Sequence, residues 1–318
     1  MSIAMCTYNG ADYLRPQLES FLAQSRRPDE LVVCDDGSSD QTVEILREFA
    51  RAAPFPVRIF ENRTNIGLHA NFAQAFARAS GEIVLFSDQD DLWQPQKLAR
   101  FEQEFAASPT VGLVFCDARV VDRQLQPLGH THWDTVHFCE RCRAIVRQGR
   151  AFELLLRHSF VAGATMGVAS RLRPALLPVP APWPFDGWVA VAASALAETR
   201  IIEQTLNEYR QHPTQAIGGR RKGLWRRYVE ARRAVDERYH LRVAEMADSL
   251  KRRLLEQGVP ASDQRILLVE AKATFARQRA AMRRSILKRY PLLIGQLLRG
   301  RYHQFGQGWR SAAMDALV

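Results

Sequence analysis

The stretch Leu31-Val32-Val33-Cys34-Asp35-Asp36-Gly37-Ser38-Ser39-Asp40 decides the fold. Four apolar residues read as a short buried strand, and the run ends abruptly in two carboxylates, a glycine turn and small hydroxyls. Asp40 is a good N-cap for the helical pattern that continues to Ala52. A plain turn followed by a capped helix accounts for Gly37 and Asp40. It does not account for two adjacent acids at a strand tip, where carboxylates suit hydrogen bonding to a base or a ribose.

The same grammar recurs on both sides. Ser2–Cys6, Val57–Phe60, Ile83–Phe86 and Gly112–Phe115 read as further strands, separated by helical patterns at Asp12–Gln24, His69–Ala79 and Pro95–Ala106. Such alternation predicts an α/β fold, Rossmann-like, with a mostly parallel sheet and helices on both faces. Ligands of such sheets lie beyond the C-terminal strand ends. There Ile83–Phe86 empties into Ser87-Asp88-Gln89-Asp90-Asp91-Leu92-Trp93. Three acids within four residues repel one another, and a cation among them removes that cost. Mg2+ or Mn2+ suits carboxylate oxygens and bridges to a substrate diphosphate. The competing reading is a solvated acidic turn.

Several segments in order resemble the family 2 glycosyltransferases: Met5-Cys6-Thr7-Tyr8-Asn9-Gly10, the Cys34–Asp40 segment, Asn65-Ile66-Gly67 and Ser87–Asp91. Phe185-Asp186-Gly187-Trp188 and Tyr209-Arg210-Gln211-His212 are similar to segments of bacterial rhamnosyltransferase-like members. The resemblance covers residues 1 to 218 and implies a GT-A fold and an inverting sugar transfer. It implies nucleotide contacts from Thr7, Tyr8, Asp35, Asp36 and Asp88, and a metal held by Asp88, Asp90 and His212. Asp186 falls at the general base, and Asn9, Asn65, Gly67, Asp91 and Trp188 support the site. The implied donor is a nucleoside-diphosphate sugar, with dTDP-rhamnose the subfamily's suggestion, and the implied acceptor is a glycan or lipid-linked glycan of bacterial surface-polysaccharide assembly. Two positions depart from the pattern. Gly187 stands where a second aromatic is usual, and Pro213 follows His212 where glycine is usual, restricting the backbone before it.

The rest of the chain bears on class and location. With 318 residues, 47% hydrophobic and 25% charged, it suits one large domain and an appendage. The expected division is a catalytic domain at 1–218 and a basic helical region at 219–318. From Gly219 onward 23 Lys and Arg face 9 Asp and Glu, whereas the preceding residues are slightly acidic. Trp225, Tyr228, Val235, Tyr239, Met246, Leu250 and Leu254 form an apolar helical stripe among those bases. Such a helix either lies on an anionic membrane or packs its stripe on protein. Nucleic acid is not expected, because no binding module accompanies the charge. Five cysteines, no signal-peptide pattern and no bilayer-length apolar run point to the cytoplasm, with the inner membrane face as a peripheral location. His130, His132, Asp134, His137, Cys139 and Cys142 crowd together, as a zinc site or, better, an acceptor-side loop. Two other classes remain open: a nucleotidyltransferase of related fold, which lacks its Gly-rich basic loop here, and a non-catalytic binding module, for which Asp90 and Asp186 would be dispensable.

Overall fold

The computed structural model describes residues 1–212, 237–284 and 286–317. The expected boundary at 218/219, Pro213, and the Trp225, Tyr228 and Val235 part of the stripe lie outside the described residues. The chain forms two compact units. The first comprises Met1–Ala151, Phe160–Val179 and 184–212; the second comprises Phe152–Ser159, Pro180–Trp183 and 237–317.

The first unit is a mixed α/β body. Its strands are β1 (Ser2–Thr7), β2 (Glu30–Asp35), β3 (Val57–Glu61), β4 (Ile83–Ser87), β5 (Leu92–Trp93), β6 (Val111–Val121), β7 (Pro127–Thr131), β8 (Met166–Ala169) and β9 (Glu198–Arg210). The sheet order is β3-β2-β1-β4-β8-β6-β9-β5, with β7 on β6. Pairing is parallel through β3-β2-β1-β4 and between β6 and β9, and β8 joins the two parallel blocks by antiparallel pairing. The order reverses between β1 and β4, which opens a crevice at their C-terminal ends. That crevice receives the tips of β1, β2 and β4.

Helices cover both faces. α1 (Ala11–Leu22), α2 (Thr42–Ala52) and α4 (Lys97–Ala106) pack Leu14, Leu18, Phe21, Ile45, Leu46, Leu98 and Phe101 on Ile3, Met5, Leu31, Val33, Leu85 and Val114. Strand residues alternate between faces, so Phe86 points opposite to Leu85. There it meets Phe72 and Phe76 of α3 (Leu68–Arg78) and Phe185 of α9 (Phe185–Leu196), with ring centroids 5.0–6.3 Å apart. Between α4 and α9 the chain also forms α5 (His132–Thr135), α6 (Glu140–Arg147), α7 (Ala151–Arg157) and α8 (Arg173–Leu176). Residues 118–150, which include the crowded His130–Cys142 stretch, thus hold the end of β6, β7 and two short helices.

The second unit is helical: α10 (Glu237–Glu256), α11 (Gln264–Arg284), α12 (Ile286–Leu298), α13 (Arg301–Phe305) and α14 (Trp309–Leu317). α10 buries His240, Ala244, Ala247, Leu250 and Leu254, whereas Tyr239 is exposed. The buried stripe is therefore shifted from the expected one and uses small residues, which lets α11 approach closely. Asp315 is buried, accepting from Arg279 Nε and Nη2 at 2.6 and 2.8 Å and from the Tyr302 hydroxyl at 2.8 Å. Two mid-chain segments belong here: Arg157 Nε donates to Gly306 O at 2.9 Å, and Trp183 Nε1 to Ser249 Oγ at 2.9 Å.

Candidate active site

The β2 tip is locked before any ligand arrives. Asp35 Oδ1 accepts from the Gly37 and Ser38 amides at 3.2 and 2.8 Å. Its Oδ2 accepts from Thr7 Oγ1 at 2.7 Å and Ser38 Oγ at 2.6 Å. Asp36 is buried too: Oδ1 accepts from Asn62 Nδ2 and the Ile66 amide at 2.9 and 2.8 Å, and Oδ2 from the Gly67 amide at 2.9 Å. Both carboxylates thus hold backbone in place, Asp35 its own turn and Asp36 the loop before α3. Gly67 adopts φ +89, a region that disfavours side chains, and its amide is shared with Asn65 Oδ1 at 3.0 Å.

The β1 tip is tied across to both neighbours. Asn9 takes its amide to Ser38 Oγ at 2.9 Å, and its Oδ1 accepts from the Ser39 amide at 2.8 Å. Asp40 accepts from the Thr42 amide at 3.0 Å and the Ala11 amide at 3.1 Å, so one carboxylate serves the starts of α2 and α1. Gln89, a residue sequence reasoning passed over, clamps the Tyr8 backbone: its Oε1 accepts from the Tyr8 amide at 2.8 Å and its Nε2 donates to Tyr8 O at 3.1 Å. With its backbone held, the Tyr8 ring stays 47% exposed and can stack on a flat ligand.

The acids of the β4 tip divide into distinct environments. Asp88 is half-buried, and its carboxyl is pushed up to about 7 by burial first and then by Asp90 and Asp186. Asp90 Oδ2 lies 2.7 Å from His212 Nε2, whose ring stacks on Tyr13 at 4.4 Å. Asp91 is fully buried and faces away into protein. Its Oδ1 accepts from the Arg210 amide at 3.2 Å, its Oδ2 has no hydrogen-bond partner among the described residues, and burial holds its carboxyl well above the usual range. Arg210 fixes the segment from the other side through Nε to Asp90 O at 2.8 Å. Beneath them Lys97, also passed over in sequence, is buried with Nζ 2.7 Å from Ala164 O and 3.7 Å from the Trp93 ring centre, and burial lowers it to about 8.

Asp186 arrives on a separate element. Phe185 is anchored in the aromatic cluster of α3 and β4, and its amide donates to His69 Nδ1 at 3.3 Å. Asp186 therefore sits inside the first turn of α9 rather than at its N-cap, which is Pro184. Its Oδ1 accepts from the Gly187 amide at 2.7 Å. Burial raises its carboxyl above the ordinary range, partly offset by that amide and by His69. Asp186 and Asp88 are near enough for the charge of the first to raise the second. Trp188 is not brought to the site. It is wholly buried, with Nε1 donating to Leu176 O at 2.7 Å, so it offers no face to an acceptor.

Among the described residues, no three His, Cys, Asp or Glu side chains are grouped closely enough to enclose a metal ion alone. The donors nevertheless suit a hard divalent cation that shares its shell with a ligand diphosphate: oxygen-rich Asp88 and Asp90, His212 beside them, and, among the described residues, no Lys or Arg ion-paired with either carboxylate. The His130–Cys142 cluster does not converge either. His130 Nδ1 faces Leu128 O, His132 Nε2 faces Phe160 O, and Asp134 forms a capping box with Thr131. Only the Cys139 and Cys142 sulfurs approach, at 3.6 Å.

Among solved structures, the chain is similar to S. aureus TarS 1-349 in complex with UDP-GlcNAc, with a TM-score of 0.56 and 16% identity over 99% of this chain and 88% of that one. It is also similar to the mannosyltransferase PcManGT from Pyrobaculum calidifontis in complex with GDP-Man and Mn2+, with a TM-score of 0.53 and 20% identity over 99% and 85%. These likenesses establish the fold, GT-A. By sequence it is 29% identical over 250 residues to an uncharacterized protein of Mycobacterium tuberculosis, covering 76% of this chain and 65% of that protein. The chain thus spans under two thirds of that relative's length. Residues 2–161, which carry every strand-tip residue from Thr7 to Asp91, match the profile of Glycosyl transferase family 2. On that match, and with the fold to go with it, this chain belongs to glycosyltransferase family 2.

Proposed function

We propose that this chain transfers one sugar from a nucleoside-diphosphate sugar to an acceptor hydroxyl with inversion at the anomeric carbon. The observation that carries the reading is the convergence of two acids of unlike origin. Asp88 leaves the β4 tip and Asp186 enters on the first turn of α9, and each is held above the ordinary carboxylate range. Half-buried acids of unlike origin, close enough for the charge of one to shift the other, are an arrangement suited to catalysis rather than to structure.

Tyr8 stacks on the base, while Thr7, Asp35 and Asp36 shape the floor beneath it and present backbone to the nucleotide. Asn9, Asn65 and Gly67 keep that floor rigid. Asp88, Asp90 and His212 hold a divalent cation, Mn2+ or Mg2+, with Asp91 buried behind them. That cation supplies charge neutralisation for the departing diphosphate. Asp186 accepts the acceptor's hydroxyl proton as the new oxygen–carbon bond forms. The carbon–oxygen bond to the diphosphate breaks on the opposite face, and its electron pair stays on the diphosphate. His69, next to Asp186 on α3, steadies the start of α9.

The acceptor is a glycan or lipid-linked glycan of surface-polysaccharide assembly, met at the inner face of the plasma membrane. The basic C-terminal helices support that location. dTDP-rhamnose is the first donor to test, because the Tyr209–His212 segment resembles rhamnosyltransferase-like members. Incubating the purified chain with a panel of nucleotide sugars and Mn2+ tests the reading. Release of nucleoside diphosphate from at least one donor, lost in Asp90→Ala, is expected. No release from any donor, or equal release by the variant, contradicts it.

A further inference from the structure

The basic charge of the C-terminal third does not by itself say which surface would use it. α10, the helix whose stripe the sequence singles out, turns its apolar side into protein: Leu250 and Leu254 are fully buried. α12 behaves differently. Leu293 and Gln296 face inward, while Tyr290, Pro291, Ile294 and Leu298 lie on the opposite side. Positions 290, 294 and 298 are spaced four apart, so they form one stripe along the helix. Ile294 is 53% exposed and Leu298 84%, and Trp309 at the start of α14 is 68% exposed. An apolar side chain exposed alone, as Leu267 is, is ordinary, whereas Tyr290, Ile294 and Leu298 stand together in one row.

Charge around the stripe is one-sided. Between residues 286 and 317 there are five Lys and Arg and a single acid, Asp315. That acid is buried against Arg279 and Tyr302 and contributes nothing to the outer surface. Arg299 and Arg310 are exposed, next to Leu298 and Trp309 respectively. No described helix is long and apolar enough to cross a membrane. A short helix with an apolar stripe, an aromatic at its edge and cationic flanks matches the interfacial type that lies in a bilayer surface. A second copy of the chain fits less well, because a two-fold interface would set the same cations against themselves.

We propose that Tyr290, Ile294, Leu298 and Trp309, with Arg299 and Arg310, form a docking surface for an anionic phospholipid bilayer. This deepens the acceptor reading above, since a lipid-linked acceptor would be met on that bilayer. The apolar side chains enter the headgroup boundary and the arginines pair with phosphate groups.

The test is flotation of the full chain with vesicles in the absence of nucleotide sugar, so that the result does not depend on catalysis. Pure phosphatidylcholine is compared with vesicles containing about a third phosphatidylglycerol. At least tenfold stronger binding to the anionic vesicles is expected, falling severalfold as salt rises. Ile294→Glu combined with Leu298→Glu, both at open positions, lowers binding at least tenfold. Trp309→Ser lowers it independently. Leu267→Glu, an exposed apolar site on α11, leaves it unchanged, and matching melting curves show all variants folded. Absent binding, equal binding to both vesicle types, or binding untouched by the double variant overturns the proposal. So does a dimer in lipid-free solution that the double variant splits, which would assign the face to a second copy.

Discussion

His212 Nε2 and Asp90 Oδ2 lie 2.7 Å apart although 122 residues separate them in the chain. β9 runs the length of β6 and ends by delivering His212 over the β4 tip, where Tyr13 of α1 stacks on its ring. The two halves of the proposed cation site therefore come from segments far apart in the sequence of the first unit. Its assembly depends on β9 being in register.

Metal dependence follows directly. Excess chelator should reduce turnover to background, and Mn2+ or Mg2+ should restore it. Asp90→Ala should abolish turnover while the protein stays folded, because His212, the partner of that carboxylate, keeps its stacking on Tyr13. His212→Ala should weaken metal response more than nucleotide affinity. Full turnover in chelator would remove the metal from the account.

The saturated carboxylates and the open ring at the nucleotide end should behave differently. Asp36→Ala leaves three donors without their acceptor and frees the loop before α3, so it should cost about 2 kcal/mol or more in stability as well as nucleotide affinity. Tyr8→Ala removes only an exposed ring. It should leave stability intact and lower nucleotide affinity by about 1 to 3 kcal/mol, the worth of base–aromatic stacking. Paired melting curves and calorimetric titrations check both. Stability loss in Tyr8→Ala, or none in Asp36→Ala, would contradict the division.

Trp188 supplies a third contrast. Its ring is core and its Nε1 is satisfied by Leu176 O, so Trp188→Ala should destabilise by about 3 to 5 kcal/mol. Any activity loss should follow the folded fraction. A stable Trp188→Ala protein with an acceptor-specific rise in KM would return this residue to the acceptor site.

How much of this was legible in the sequence depends on how local each feature is. The apolar runs at Ile3, Leu31 and Leu85, each ending in acids or small polar residues, mark strand tips because burial and function change within one residue. Asp40 reads as the N-cap of α2, but that position is Gln41; Asp40 stands one residue before it and accepts from the first amides of α2 and α1. β9 was not readable: Glu198–Arg210 mixes buried and half-exposed positions without alternation, because it pairs with β6 on one side and reaches only β5 on the other. Asp35 and Asp36 look like ligand contacts, but a sequence cannot show that seven protein donors already fill them. Gln89 and Lys97 carry no motif of their own. Their importance lies in what they hold, Tyr8 and Ala164. The α12 stripe was hidden because Leu293 and Leu297 make the helix apolar nearly all round, and only packing shows which side stays open.

The central claim is that Asp186 takes the acceptor's proton. Burial raises its carboxyl, so the ionised form that a base requires is disfavoured by the fold. Turnover should then fall as pH drops through a value above the ordinary carboxylate range. The folded state binds this proton more tightly than the unfolded chain does, so ionising Asp186 costs stability as pH rises through that window. Asp186→Asn removes the cost and should melt no lower than the parent at neutral pH. The decisive measurement is turnover and donor affinity on one folded preparation of Asp186→Asn. Donor affinity near that of the parent, with turnover lowered by about a hundredfold to ten-thousandfold, is the predicted result. Near-normal turnover would contradict it and leave Asp186 a first-turn acid of α9 with no part in the chemistry.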